Sequence, residues 1–140
     1  MKRILVAVDG SDGSNRAARF AADLAQGTGA ALELLHVYDA PTAVHLGLRA
    51  LSKEELGEKG EGIAHGSISA AEKAIGGRVA AEHHLTFGHP DKEIVTRAEE
   101  IDADLIVLGS RGLRDLEGIL LGSVSRKVLA RSKRPVTVVP

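Results

Sequence analysis

Short apolar runs alternate with segments of helical periodicity along the whole chain, and this alternation limits the possible folds most strongly. Five runs have the length and composition of strands, at residues 4–8, 31–38, 79–87, 105–108 and 136–139. Between them lie four segments with the spacing or capping residues of helices. The order β-α-β-α-β-α-β-α-β predicts a parallel sheet with right-handed crossovers and helices on both faces.

The character of individual runs suggests where each strand lies in that sheet. The run from Ile4 to Val8 is continuously apolar, as in a strand covered on both faces, whereas residues 79–87 alternate as in an edge strand. Residues 136–139 form a short strand near the other edge. We therefore predict one doubly wound α/β domain over residues 1–140, Rossmann-like, with a five-stranded, mainly parallel sheet in the order 3-2-1-4-5.

The predicted helices have recognisable starts and apolar faces. Asp12 or Ser14 is expected to cap the first helix, and Ser52 the second, which should run to about Ile75 with a first half weakened by glycines. Pro90 suits the first position of the third helix. The inner face of the first helix is expected to comprise Ala17, Phe20, Ala21, Leu24 and Ala25. That of the last helix is expected to comprise Val124, Val128 and Leu129.

The stretch LIVLGSRGLRDLEGILLGSVS, at residues 105–125, passes from a buried strand to the start of the last helix. Gly109 and Gly112 could form a nest of main-chain N–H donors directly after the strand. Further along, Gly122, Ser123 and Ser125 would direct first-turn N–H groups and hydroxyls at the same space. This combination predicts a phosphate site. A Gly122→Val substitution should displace phosphate, and should also strain the backbone if Gly122 has φ > 0.

The spacing of this stretch resembles a known signature. Gly109 and Gly112 are separated by two residues, and nine residues then precede Gly122 and Ser123, as in the ATP-binding motif of the universal stress protein family. The resemblance extends to VAVDGS at residues 6–11, LLHVYD at 34–39 and RPVTVVP at 134–140. The alternative is that the glycines only form two turns and a helix cap.

This resemblance implies ATP as the ligand and assigns residues to it. The residues implied to flank adenosine are Ala7, Val8, Asp9 and Val37, with the main chain of Val37 reading the adenine edge. Those implied to hold ribose and phosphates are Gly109, Gly112, Gly122, Ser123, Val124 and Ser125. Arg111 either clamps phosphate or lies on the surface. Asp9 either supports a phosphate-bound magnesium ion or caps its own loop.

Composition narrows the remaining possibilities. A net charge of −1 gives no electrostatic argument for binding nucleic acid or an anionic membrane. The chain has no cysteine, which excludes disulfides and thiolate chemistry, and no cluster of metal ligands is evident. Its first apolar run stops at Asp9, too early for a signal peptide. These features favour a cytoplasmic protein.

Several functions fit this pattern. The first is an ATP-binding stress-response or signalling module in which bound nucleotide sets conformation or partner choice. Hydrolysis would be absent or slow, because no residue is evident that would orient water. The alternatives are an enzyme that cleaves or transfers at a nucleotide phosphate, and a nucleotide-free dimeric scaffold. We also expect a homodimer paired through Val136 to Val139, which hides an apolar edge strand, and an unidentified protein partner.

Overall fold

A computed structural model describes residues 1–39, 53–111 and 121–140 of the chain. Within them the predicted alternation is present. The strands are β1 (Arg3–Ala7), β2 (Ala31–Tyr38), β3 (Ala81–Phe87), β4 (Leu105–Gly109) and β5 (Val136–Val139). The helices are α1 (Asp12–Thr28), α2 (Lys53–Ile75), α3 (Pro90–Glu100) and α4 (Ser123–Arg131). The expected cap at Ser52 and the ordering of residues 40–52 lie outside the described residues.

The sheet has the predicted order, β3-β2-β1-β4-β5, and every neighbouring pair is parallel. In the centre, Val6 of β1 pairs with Leu34 on one side and Val107 on the other. The predicted fold class is thereby confirmed. Because the winding reverses between β1 and β4, their carboxyl ends border the crevice at which ligands bind in such sheets.

Each face of the sheet has its own hydrophobic core. On β1, Ile4 and Val6 belong to the cluster that contains the α1 alanines, while Leu5 belongs to the cluster under α3 and α4. All three side chains are fully buried. This matches the continuous apolar run, because a strand that is covered on both faces favours apolar side chains at successive positions.

Two details of the helices differ from the sequence prediction. Ser11, rather than Asp12 or Ser14, caps α1, and its hydroxyl oxygen accepts a hydrogen bond from the Ser14 N–H. Phe20 and Leu129 were expected to face inward but are 41% and 44% exposed. On α1 the buried stripe consists mainly of alanines, so the helix lies close to the sheet and leaves no room for a phenyl ring beneath it.

The second helix ends at the residue that the sequence predicted. It is continuous from Lys53 to Ile75, with the glycines of its first half inside it. At Gly60, an added Cβ would lie 2.8 Å from a ring carbon of Phe87 and 3.2 Å from one of Tyr38. Glycine at this position therefore lets α2 pass over the aromatic ends of β2 and β3. Among the described residues, no helix is long and apolar enough to cross a membrane.

Candidate functional site

The turn from β1 into α1 forms one side of the crevice and is closed by its own side chains. One carboxylate oxygen of Asp9 accepts hydrogen bonds from the Ser11 N–H, at 2.9 Å, and from the Ser11 hydroxyl. The Ser14 hydroxyl donates to the Ser11 carbonyl at 3.0 Å. Asp9 thus has the loop-capping contacts that the sequence left as one of two alternatives.

The turn from β4 toward α4 forms the other side. The Ser110 N–H donates to the Val139 carbonyl at 2.8 Å, and the Gly122 N–H donates to the Ser110 carbonyl at 2.6 Å. These bonds bring the end of β4 and the start of α4 together. The Ser125 hydroxyl is within 3.0 Å of the Gly109 carbonyl and 3.1 Å of the Ser110 carbonyl, and Ser125 is only 3% exposed. Its hydroxyl therefore joins the two segments and does not point into open space.

The amino end of α4 has a different character from that of α1. Gly122 is its N-cap, with φ −73° and ψ 168°, and makes no side-chain capping hydrogen bond. This extended conformation carries no strain, so the φ > 0 considered for Gly122 is wrong. The first-turn N–H groups of a helix have no intrahelical acceptors and carry the positive end of its dipole. Ser123, which begins α4, is exposed.

Three apolar residues that pack against one core are here called the apolar wall. Ala7, Val37 and Val124 are partly buried and pack against the same core, the one under α3 and α4. They come from the end of β1, the end of β2 and the first turn of α4. Val8 lies on the other face and is only 3% exposed, so its side chain belongs to the α1 core. Of the residues expected to flank adenosine, only Ala7 and Val37 therefore share this wall.

Gly109 is required for a close approach between the two sides of the crevice. An added Cβ on Gly109 would lie 2.8 Å from the backbone carbon of Gly13 and 3.1 Å from the Ser14 nitrogen. An added Cβ on Gly13 would in turn lie 2.8 Å from the Arg111 carbonyl oxygen. Gly109 is not among the glycines with positive φ. Packing against α1 therefore requires glycine at position 109, and the nest of N–H donors at this glycine stays a prediction.

Sequence reasoning missed His36, which holds β2 to the end of β1. Its side chain is 4% exposed, and its Nδ1 donates to the Val8 carbonyl at 2.9 Å. Burial lowers the pKa of His36, while the bond to Val8 and the charge of Asp9 act in the opposite direction. The sequence contains a signal for the burial of His36. In a strand every second residue lies on the same face, so position 36 follows Leu32 and Leu34 on the α1 face of β2.

The remaining candidates are less informative. Arg111 is exposed, and Gly112 lies outside the described residues. Arg126, in the first turn of α4, donates from Nη2 to the Leu121 carbonyl at 3.0 Å. No group of three or more histidine or carboxylate side chains that could hold a metal ion occurs within 1–39, 53–111 and 121–140.

Comparison with known proteins gives full-length matches. A model described as the universal stress protein family matches residues 1–140. The universal stress protein YxiE of Bacillus subtilis is 36% identical over 147 residues, which cover 98% of this chain and 97% of the relative. A universal stress protein of Thermus aquaticus is 38% identical, with 99% and 98% covered.

Solved structures agree with these sequence matches. Protein MJ0577 of Methanocaldococcus jannaschii has a TM-score of 0.83 and 29% identity, covering 99% of this chain and 94% of that one. A universal stress protein in complex with cAMP has a TM-score of 0.68 and 31% identity, covering 99% and 95%. The universal stress protein of Archaeoglobus fulgidus in complex with dAMP has a TM-score of 0.67 and 30% identity, covering 100% and 98%.

Proposed function

The chain belongs to the universal stress protein family, and from that premise we propose that it is an ATP-binding stress-response or signalling module. Bound nucleotide sets its conformation or its choice of protein partner, with little or slow hydrolysis. The ligand occupies the crevice between β1 and β4. The proposal also places the protein in the cytoplasm, where ATP is available to it.

One observation carries this proposal: α4 begins at a glycine without a side-chain cap, and its first turn packs against the same core as the ends of β1 and β2. The amino end of α4 offers main-chain N–H donors and a positive dipole, which suit phosphate. Ala7, Val37 and Val124 offer the apolar contact that a base requires. Related universal stress proteins have been solved with cAMP and with dAMP, which supports an adenine nucleotide.

Within the proposal each candidate residue has a stated task. Ala7 and Val37 contact the base, and the main chain of Val37 reads its edge. Gly109, Gly112, Gly122 and Ser123 surround ribose and phosphates, together with Val124 and the main chain of Ser125. Arg111 is exposed at the end of β4 and is positioned by sequence to reach phosphate. Because its side chain lies in the α1 core, Val8 contacts the nucleotide only through its main chain.

Magnesium would enter with the nucleotide. A single carboxylate rarely holds Mg²⁺ without oxygens from the substrate, and Asp9 has one carboxylate oxygen hydrogen-bonded to Ser11. We propose that Asp9 supports the ion only when phosphate oxygens complete its coordination. ATP should therefore bind more tightly with Mg²⁺, while a chelator should leave the fold of the nucleotide-free protein intact by circular dichroism.

Titration calorimetry with ATP, AMP and GTP tests the proposal directly. ATP and AMP should bind measurably and GTP much more weakly, because the base is recognised. The supernatant of heat-denatured, freshly purified protein should contain adenine nucleotide. The alternative of a nucleotide-free scaffold is favoured by the packing role of Gly109, and it would gain support if both assays were negative. Multiple turnovers of ATP by pure protein would instead point to a phosphate-cleaving enzyme.

We also propose a homodimer formed by β5. This strand is at the edge of the sheet, and its residues Val136 to Val139 are only partly buried. Antiparallel pairing of two such strands about a twofold axis hides both edges, and Pro140 has no N–H with which to extend the pairing. Sedimentation should give a dimer at micromolar concentration. Val138→Asp should give a monomer, and a monomeric wild type would refute this interface.

A further inference from the structure

A groove of about 490 Å³ lies between α1 and α2, outside the crevice described above. It is lined by Ala70 and Ala74 of α2, among others, and the α1 residues that line it fall within 12–19. Those residues follow the spacing of a single helix face. The residues that α1 turns toward Gly109 and the sheet, Gly13 and Ser14 among them, lie elsewhere on the helix. We call this feature the α1–α2 groove.

The lining of the groove is strongly cationic for a protein of nearly neutral charge. Arg16, Arg19 and Lys73 line it, opposed by the single carboxylate of Asp12. The Nε of Arg16 donates to the Pro140 carbonyl at 2.9 Å, which fixes this guanidinium near the amino end of α1. Arg19 and Lys73 make no ion pair with any residue in the described part of the chain.

Other charged residues close to the groove do have ion-pair partners. Arg78 pairs with Asp23, and Glu72 pairs with His83. The three cations that line this surface outnumber its one carboxylate, and like charges on one surface repel each other. An anionic ligand would remove that repulsion and form charge-assisted hydrogen bonds with Arg19 and Lys73. The volume is within the range of small-molecule sites, roughly 300 to 1,000 Å³.

The side chain of Asn15 indicates a second chemical group that such a ligand carries besides its anion. It lines the groove, and its amide oxygen is buried without a hydrogen-bond partner among the described residues. The Asn15 amide can present either a donor or an acceptor. If the amide turned so that its oxygen faced the groove, a hydroxyl group of the ligand would donate to that oxygen and remove the free-energy cost of an unpaired buried acceptor.

We propose that the α1–α2 groove binds a small phosphorylated polyol, such as a sugar phosphate, at a site separate from the nucleotide crevice. The guanidinium of Arg19 and the ammonium of Lys73 bind the phosphate, and the amide of Asn15 binds a hydroxyl. None of the residues that line the groove is among those assigned to ATP. The proposal therefore does not depend on ATP binding.

Titration calorimetry with glucose 6-phosphate as the probe tests this site, with glucose and inorganic phosphate as comparison ligands. Glucose 6-phosphate should bind more tightly than either. The double variant Arg19→Ala/Lys73→Ala should weaken its binding by about tenfold or more. Asn15→Ala should remove its advantage over inorganic phosphate. Arg19 and Lys73 are exposed, so the variants should fold normally by circular dichroism.

A matched control is Lys92→Ala, which removes an exposed cation from α3 on the opposite face of the sheet and should leave binding unchanged. ATP should bind the double variant as it binds the wild type, and should not compete with glucose 6-phosphate. No binding of the sugar phosphate, equal loss in the control, or competition with ATP would each overturn the proposal. Failure of ATP binding alone would refute only the nucleotide proposal.

Discussion

The two helices that begin at the crevice, α1 and α4, meet it with opposite kinds of amino end. At α1, Ser11 caps the helix and is itself bonded to Asp9, so a side-chain oxygen already accepts a first-turn N–H. At α4 the cap is Gly122, and no side chain occupies the corresponding position. Both follow a strand end in the centre of one sheet. Among the described residues, only the end of α1 has a side-chain cap.

This difference shows how a site can be built by leaving out a common stabilising contact. A serine or aspartate N-cap stabilises a helix by about 1 kcal/mol, yet it occupies the space and the N–H groups that an anion would use. Under the proposed function, the capped end of α1 and the glycine-capped end of α4 would direct phosphate to α4. The substitutions below exchange or remove these features, in order of decreasing expected effect.

The largest effect is expected from Gly122→Asp, which would give α4 the kind of cap that α1 has. The φ and ψ of Gly122 are already those of an N-cap residue, so the carboxylate can bond the first-turn N–H groups. We expect ATP affinity to fall by about a hundredfold or more, because the donors are occupied and negative charge opposes phosphate. The free energy of unfolding should rise by roughly 0.5 kcal/mol.

Calorimetry and urea unfolding together check this prediction, and Gly122→Ala serves as a control that fills space without adding charge or a cap. The combination of higher stability with lost binding is specific to an anion site at this helix end. Unchanged ATP affinity in a folded Gly122→Asp variant would show that phosphate lies elsewhere.

Gly109→Val tests whether the two sides of the crevice depend on their close contact. Its Cβ would lie 2.8 Å from the Gly13 backbone, which cannot move aside as a side chain can. We expect a loss of about 3 kcal/mol in the free energy of unfolding. Gly27→Ala is the matched control, since nothing lies within 4 Å of its Cβ, and it should raise stability by about 0.5 to 1 kcal/mol. Equal stability in both variants would contradict the packing argument.

Ser11→Ala should remove the cap from the closed end. The expected cost is about 1 kcal/mol, because the Ser14 N–H and Asp9 both lose a partner. Ser123→Ala at the open end should change stability by less than about 0.5 kcal/mol, since Ser123 is exposed and does not cap α4. Urea unfolding of both variants makes the comparison. Similar losses of stability in the two variants would show that the amino ends of α1 and α4 do not differ in side-chain capping.

The smallest effect concerns His36, which bonds to Val8 beside the closed end. Its pKa is lowered in the folded state by burial, so below its ordinary value of 6.5 the unfolded chain binds more protons than the folded one. Stability should therefore decrease as the pH falls through 6.5, and the decrease should level off below the folded-state pKa. Urea unfolding at about pH 7.5 and about pH 5.5 should show a smaller decrease for His36→Gln than for wild type. Identical decreases in stability in the two proteins would show that groups other than His36 cause the pH dependence.

The sequence predicted the strand order because its main signals are local. Continuous apolar runs, a Pro90 at a helix start and an alternating third strand all depend on residues near one another, and the rules of connection then leave few topologies. The sequence predicted the helix caps and the inward-facing residues of the helices less reliably. Ser11, Asp12 and Ser14 are all capping residues, and only the path of the backbone selects one of them.

The chain by itself determined a parallel sheet and a glycine-rich strand-to-helix segment, since periodicity and composition are read along the backbone. Only the tertiary structure decided what each residue of that segment does. Gly109 proved to be a point of contact with α1, and the Ser125 hydroxyl is used inside the protein. Gly109 contacts Gly13 from a distant part of the sequence, and the Ser125 hydroxyl bonds across 16 residues to the Gly109 carbonyl. Both contacts depend on how β4 lies against α1 and α4 in the folded protein.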